Sequence, residues 1–248
     1  MEREQTGHAA PAGSPLATKE PWDIVADAYA ADLVPWAEHF AGKALQLASL
    51  PPSPRIVDLA AGPGSLALFA AREGATVSAI GFSTAMVANL RRRADDLELV
   101  FFADRAAGVR ELRRVLRQGR RAVVGSIASI EAPFAQVLEA IQAMLPSLPI
   151  SNGKMPLSDP EEFMREMSSA GFHQVSIHTV TYHAATPSLT EFWQKTQRSA
   201  APVALLRHKL GEAHWLEVAN GVLDQLQATL GDGPVEELYT MHLGVGAK

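Results

Sequence analysis

Cysteine is absent from this sequence, and its absence removes several classes of site at once. A chain without cysteine cannot form a disulfide scaffold, a thiolate zinc site or an iron–sulfur cluster, and it has no cysteine nucleophile. A reducing compartment is compatible with this composition. Any chemistry therefore has to depend on other residue types.

The sequence also lacks an excess of basic residues and any long apolar run. It has 22 Lys and Arg against 27 Asp and Glu, a net charge of −5, which argues against nucleic acid as the main partner. No apolar stretch approaches the roughly 20 residues of a membrane span. Residues 1–20 are polar or small and contain no apolar signal core. We therefore expect a cytoplasmic protein without a membrane span, with a flexible N-terminus over residues 1–20.

What the chain does have is apolar content, at 47% of its 248 residues, which is ample for a buried core. The first half alternates short strand-like runs with helical periodicity, and this order predicts parallel strands joined by right-handed crossovers. The predicted elements are a helical segment from Pro21 that Pro35 breaks, strands at Arg55–Ala60 and Ala75–Ile80, a helix at Ser65–Arg72, and a helix from Thr84 with Ser83 as its N-cap.

The second half continues the pattern and ends in a hairpin-like pair of strands. The predicted strands are Leu97–Phe102, Arg121–Ser126, Val175–Tyr182 and Glu237–Val245, and the predicted helices are Arg105–Arg117, Pro133–Met144, one capped by Asp159, Ser188–Leu210 and Glu212–Leu230. We expect residues 21–248 to form a single domain with a helical insert at about 188–232. We also expect one mostly parallel sheet of six strands or so, with an antiparallel pair at its C-terminal edge.

The turn Asp58-Leu-Ala-Ala-Gly-Pro-Gly64, between a strand and a helix, is the one local motif with a mechanism attached. Glycines let the backbone approach a ligand closely, and a helix N-terminus offers unpaired N–H groups. The alternative is a tight turn that binds nothing. The spacing is not the G-x-G-x-x-G of dinucleotide-binding proteins, because Leu66 and Ala67 follow the last glycine.

Several blocks in order resemble the class I S-adenosylmethionine (SAM)-dependent methyltransferases, nearest to the ubiquinone and menaquinone C-methyltransferases, which carry the methyltransferase type 11 domain. The blocks are RIVDLAAGPGSLA, GATVSAIGFSTAMVANLRRRA, FFADRAAGVRELRRVLRQGRRAVVGS, DPEEFMREMSSAGFHQVSI and the closing LGVGAK. The resemblance implies an α/β, Rossmann-like, doubly wound, mostly parallel sheet with helices on both faces, an N-terminal helical cap and a late helical insert. It also implies SAM as the cofactor.

The resemblance assigns cofactor contacts residue by residue. Asp58, Gly62 and Gly64 match the acid and glycines of the first block, and Ala60 stands where another glycine is commoner. Tyr29 is the candidate for a tyrosine that often lies near the cofactor in the N-terminal cap.

Gly81 is a departure from the family pattern. It occupies the end of the second strand, where the family usually has an Asp or Glu that accepts hydrogen bonds from the ribose hydroxyls. Glycine has no acceptor side chain, so SAM should bind more weakly unless Ser83 or a backbone group substitutes.

The chain is also too short between Gly81 and Arg121, where the family has two strands and this sequence has room for one. We prefer to align Leu97–Phe102 with the family's fourth strand, because losing an edge strand leaves a packable sheet whereas losing a central one leaves a hole. The alternative makes it the third strand, with Asp104 as the acid that contacts the adenine.

Other candidates are weaker. The spacing of His173, His178 and His183 puts His178 and His183 on opposite faces of the predicted strand, which argues against a shared metal, and we expect no metal site. The arginines from Arg110 to Arg121 fit the solvated face of an amphipathic helix. Phe192, Trp193 and Trp215 in the late helices fit either a substrate pocket or core packing.

The function implied is transfer of a methyl group from SAM to a small apolar or aromatic acceptor. The catalytic residues stay unknown, although His39, His178 and Tyr182 are candidates for a general base. The alternative is a catalytically impaired, methyltransferase-like binding or scaffolding protein, which the missing segment and Gly81 motivate.

Overall fold

The N-terminal part of the protein is helical. The computed structural model describes residues 15–94, 98–101, 108–148 and 155–248. A short 3₁₀ turn at Pro15–Ala17 leads into α1 (Glu20–Asp32) and α2 (Val34–Ala48). The chain breaks between them at Leu33, with Pro35 in the first turn of α2, as predicted. Most of the N-terminal segment expected to be flexible, residues 1–14, lies outside the described residues.

A three-stranded parallel sheet follows. Its elements are β1 (Arg55–Leu59), α3 (Ser65–Arg72), β2 (Thr76–Gly81), α4 (Thr84–Arg93) and β3 (Glu98–Phe101). The strand order is β1-β2-β3, with Arg55 opposite Thr76 and Ser78 opposite Glu98. Ser83 caps α4, as predicted, by accepting the Met86 N–H at 3.1 Å.

A second, antiparallel sheet forms from the rest of the chain. Its elements are α5 (Gly108–Val115), β4 (Arg121–Ile127), α6 (Phe134–Met144), α7 (Pro160–Ser169), β5 (His173–Thr186), α8 (Leu189–Ser199), α9 (Ala201–Leu210), α10 (Glu212–Leu230) and β6 (Val235–Ala247). The order is β4-β6-β5, so the predicted antiparallel pair is confirmed. The predicted cap of α7 is also confirmed, because Asp159 accepts the N–H groups of Glu161 and Glu162.

The α/β fold class, with a parallel sheet and helices on both sides, is confirmed, but the expectation of one continuous sheet is wrong. Hydrogen bonding divides the strands into two sheets, with Arg55–Leu59 in the first and Arg121–Ile127 in the second. Periodicity predicts strands but carries no information about which strand edges meet.

The preferred alignment of Leu97–Phe102 with a central strand is also wrong. Residues Glu98–Phe101 pair in parallel with β2, at the outer edge of the first sheet, so the alternative alignment is the better one. Within the described residues, β1 pairs with β2 alone and β4 pairs with β6 alone, so no strand joins β1 to β4. Asp104, the acid of that alternative, lies outside the described residues.

Helix α2 explains how the fold tolerates two separate sheets. On one side Gly42 lies against the ring of Phe69 in α3, and on the other Trp36 makes an edge contact with Tyr239 of β6 at 5.7 Å between ring centroids. At its end, Arg121 of β4 donates to the Leu47 carbonyl at 3.4 Å and to the Ser49 hydroxyl at 3.0 Å. The helix thus connects the second sheet to the layer that covers the first.

The largest core belongs to the late helices, and it settles the role of their aromatic residues. Phe192, Trp193 and Trp215 are each 2% exposed, among apolar side chains of α6, α8, α9 and α10. Both indole N–H groups are used within this core, by the Ala219 carbonyl and by Gln197. These residues are therefore core and not a substrate pocket.

None of the helices in the described part of the chain has both the length and the apolar character that a membrane crossing requires.

Candidate cofactor site

The glycine-rich turn lies at the carboxyl end of β1, beside the end of β2. The Ala61 N–H donates to the Ile80 carbonyl at 2.9 Å, which ties the turn to the neighbouring strand. Ala60, Gly62 and Gly64 all have left-handed backbone, with φ of 61°, 55° and 91°. A left-handed alanine costs about 1 kcal/mol, so Ala60 is held in a strained conformation where the family more often has glycine.

Gly62 and Gly64 have different surroundings, which the sequence alone does not reveal. A Cβ on Gly64 would lie 2.2 Å from Leu90 Cδ1 and 3.3 Å from Leu68 Cγ, so this glycine lets α3 and α4 pack closely. A Cβ on Gly62 would meet only the Ala60 carbonyl oxygen, at 4.0 Å. The protein leaves the space beside Gly62 open, as a ligand cradle requires.

Two buried polar atoms next to this turn have no partner from the described residues. They are Oδ2 of Asp58 and Oγ of Ser65, on side chains of residues 8% and 7% exposed. Burial raises the pKa of Asp58 to about 7, although a hydrogen bond from the Ala67 N–H opposes the shift. Because buried polar groups nearly always have partners, these two atoms are candidates for contact with a polar ligand.

Gly81 ends β2 at the same edge of the sheet. Its Cβ would lie 2.9 Å from Val87 Cγ2, so a larger residue there requires Val87 to move. Ser83 uses its only proton to donate to Asp23 Oδ1 at 2.6 Å and also accepts the Met86 N–H, which leaves one acceptor site on its hydroxyl oxygen. The structure thus brings Asp58, Ala60, Gly62 and Gly64 to one edge with Gly81 and Ser83.

Tyr29 lies on α1 and packs with the cluster that joins α1 to α4 and α9. Its ring meets Trp22 edge to face, with centroids 6.3 Å apart. Burial raises the pKa of Tyr29 to about 12, so its hydroxyl stays protonated. Any contact between Tyr29 and a cofactor remains a prediction.

Sequence reasoning missed two acidic residues that the fold brings into contact with residues of other elements. Asp23 of α1 reaches the N-terminus of α4, where it accepts from Ser83 and from the Ala85 N–H at 3.1 Å. Glu237 of β6 is 2% exposed and accepts from Lys195, Thr186 and the Tyr239 hydroxyl. Both depend on contacts between residues far apart in sequence, which no local pattern encodes.

The candidate bases occupy different settings. The His39 ring of α2 lies 5.1 Å from that of Tyr182 on β5, measured between centroids. His178 is exposed, and its Nε2 lies 3.0 Å from the Ser176 hydroxyl. Within the described ranges, no group of three or more His, Asp and Glu side chains has a geometry that could hold a metal ion.

Solved structures share the fold that carries this site. The chain is similar to a Bacillus halodurans C-125 protein assigned as a methyltransferase, at 14% identity over 83% of this chain and 97% of that chain, with a TM-score of 0.51. It is similar to a type II methyltransferase assigned in Anaeromyxobacter dehalogenans, at 15% identity over 84% and 95%, with the same TM-score of 0.51. The chain has the class I methyltransferase fold. A scan against protein-family models and a search of curated proteins found no match.

The methyltransferase fold does not by itself decide the chemistry. The [4+2]-cyclase SpnF is similar to this chain at 14% identity over 92% of this chain and 95% of that chain, with a TM-score of 0.51. At such identities the likeness establishes the fold alone. The function has to be argued from the site.

Proposed function

We propose that this protein is a SAM-dependent methyltransferase. The observation that carries the proposal is the pair of unpartnered, buried atoms Asp58 Oδ2 and Ser65 Oγ beside the open left-handed Gly62. SAM fits these groups because it is a cation, with a sulfonium and an ammonium group balanced by a single carboxylate. A cation near Asp58 would favour the ionised carboxylate, whose desolvation is compensated only in part, by the Ala67 N–H.

In such a reaction, the residues of this chain would bind and orient the cofactor and the acceptor. When bound, SAM would supply a methyl group on its sulfonium sulfur; an acceptor would bond to the methyl carbon in line as the carbon–sulfur bond breaks, and S-adenosylhomocysteine would leave with the electron pair. Asp58 and Ser65 would hold polar groups of the cofactor, and Gly62 would let the backbone approach it. The α3 N-terminus contributes N–H groups at the same turn. Helices α1 and α2, which pack on α4 and α3, would exclude water from this edge.

The acceptor we propose is a small apolar or aromatic molecule. Trp36 of α2, Tyr182 of β5 and Tyr239 of β6 form a group of aromatic rings in contact, and such rings suit an acceptor of this kind. Burial raises the pKa of Tyr239, and its hydrogen bond to Glu237 raises it further. Tyr239 therefore keeps its proton. Of the three candidate bases, His178 is exposed, and we propose His39, whose ring lies beside that of Tyr182, as the base if the acceptor has to lose a proton.

Calorimetric titration with SAM and with its demethylated product, S-adenosylhomocysteine, tests the cofactor assignment. We expect the unmodified protein to bind both. Gly62→Ala should lower affinity by tenfold or more, because its methyl group would occupy the space beside the turn. Its left-handed φ should also lower the free energy of unfolding by about 1 kcal/mol.

Gly74→Ala is the matched control, because Gly74 is also left-handed, at φ 84°, and has nothing within 4 Å of its Cβ position. It should show the same loss of stability with unchanged affinity. Binding of neither compound by the unmodified protein would refute the proposal and favour the binding or scaffolding alternative. Equal affinities of the two variants would mean that the turn is structural.

A further inference from the structure

The end of β2 lacks the carboxylate that the methyltransferase family usually has at this position. Gly81 offers no acceptor, and the 2.9 Å between its Cβ position and Val87 Cγ2 leaves no room for an acidic side chain. Val87 is 3% exposed and β-branched, so it moves only at a cost. The chain therefore cannot supply an acid from this strand without repacking α4.

Helix α1 brings a carboxylate to the same place. Asp23 Oδ1 accepts the Ser83 hydroxyl at 2.6 Å and the Ala85 N–H at 3.1 Å, and Ser83 lies two residues beyond the end of β2. The adjacent turn after β1 carries the independent signs of a ligand, the unpartnered atoms of Asp58 and Ser65. Both features stand at the carboxyl ends of neighbouring parallel strands, where ligands of open α/β sheets bind.

Asp23 also retains the capacity to accept. Burial acts to raise its pKa, but hydrogen bonds from Lys19, Ser83 and the Ala85 N–H outweigh it, so the pKa lies below its ordinary value and the group is ionised at neutral pH. Oδ2 accepts from Lys19 at 2.8 Å. The Lys19 side chain is 62% exposed, and a carboxylate oxygen has two acceptor sites, so Oδ2 can take a further donor.

We infer that Asp23 accepts hydrogen bonds from the ribose hydroxyls of the cofactor, in place of the acid missing at Gly81. This inference rests on the proposed function. It makes α1 part of the binding site, so that a bound cofactor would also stabilise the position of this N-terminal helix.

The test compares two asparagine variants on the same helix. Asp23→Asn keeps an oxygen for Ser83 and Ala85 but removes the charge and one acceptor. Asp27→Asn is the control, because Asp27 Oδ1 also joins α1 to α4, by accepting from Asn89 and Arg92 at 2.9 Å each, and its side chain is 88% exposed. Both variants disturb the contact between the helices, and Asp23→Asn alone acts at the end of β2.

Each protein is titrated with S-adenosylhomocysteine and with its 2′,3′-dideoxy analogue. Loss of a charge-assisted hydrogen bond should weaken S-adenosylhomocysteine binding by roughly 10- to 150-fold in Asp23→Asn. Asp27→Asn should stay within about twofold of the unmodified protein. The dideoxy analogue should bind Asp23→Asn and the unmodified protein equally well.

The remaining outcomes separate the inference from the proposed function. An equal loss of affinity for both compounds in Asp23→Asn would mean that Asp23 only supports the fold. S-adenosylhomocysteine affinity unchanged in Asp23→Asn would overturn the inference and leave the methyltransferase assignment standing. Absence of binding by the unmodified protein would overturn both.

Discussion

The first sheet and the second sheet treat their buried polar groups differently. In the first, Asp58 Oδ2 and Ser65 Oγ have no partner from the described residues. In the second, Glu237 receives three donors and both buried indoles of α8 and α10 are bonded. Among the described residues, the exceptions are Gln136 Oε1 of α6 and Trp36 Nε1 of α2, whose ring contacts Tyr239 of β6. The first region therefore has the unpartnered groups that the proposed cofactor site needs, whereas the buried polar groups of the second are mostly bonded to its own side chains.

The largest expected effect is on the second region. Trp193 is 2% exposed and donates to the Ala219 carbonyl, so Trp193→Ala should lower the free energy of unfolding by about 3–5 kcal/mol. Urea denaturation measures the change. Leu216→Ala, at a residue 62% exposed on α10, should change the free energy by less than about 0.5 kcal/mol. If Trp193→Ala weakened SAM binding in protein that is still folded, the division between the regions would fail.

A smaller effect should separate packing from binding within the first region. Gly64→Ala combines a left-handed φ with a Cβ 2.2 Å from Leu90 Cδ1, so we expect a loss of about 2–4 kcal/mol. Gly62→Ala lacks the clash and should lose only about 1 kcal/mol. Thermal unfolding of the two variants without ligand gives the comparison. Equal losses would contradict the assignment of Gly62 to the ligand side.

A pH series sharpens the comparison through the protonation of Asp58. Burial raises the pKa of Asp58 to about 7 in the folded protein, from its ordinary value of 3.8. Between these two pH values the folded protein therefore holds a proton on Asp58 that the unfolded protein has lost. The free energy of unfolding should therefore fall as pH rises from about 4 to about 7, by about 1.4 kcal/mol per pH unit from this group, and then level off. Asp58→Asn should lack this component. An identical pH dependence in both proteins would show that Asp58 does not hold the proton.

The sequence predicted elements far better than their neighbours in space. The break at Pro35, the caps at Ser83 and Asp159 and the strand–turn–helix around Gly62 all depend on residues close together in the chain, and the structure confirms them. The partner of Glu98–Phe101 depends on which strand edge is free, and periodicity does not record that. A pattern-based argument therefore placed this strand in the centre of the sheet instead of at its edge.

The candidate site divides in the same way. Asp58 and the glycines were found because a turn between a strand and a helix has a recognisable local pattern. Asp23 was not found, because its hydrogen bonds to Ser83 and Ala85 join α1 to the start of α4, about 60 residues later in the chain. The separate duties of Gly62 and Gly64 depend on Leu90 of α4, which a motif written over residues 58–64 does not include.

The position of β6 has a consequence for how the chain folds during synthesis. β6 is the middle strand of its sheet, and it pairs Arg121 with Ala247 and His183 with Leu238. The first sheet can form from pairs close in sequence, such as Arg55 with Thr76, while the ribosome is still making the helices. β4 and the 14 residues of β5 both pair with β6, so their hydrogen bonding stays incomplete until residues 235–247 have been synthesised. In that interval the nascent chain exposes strand edges that other chains or chaperones can bind.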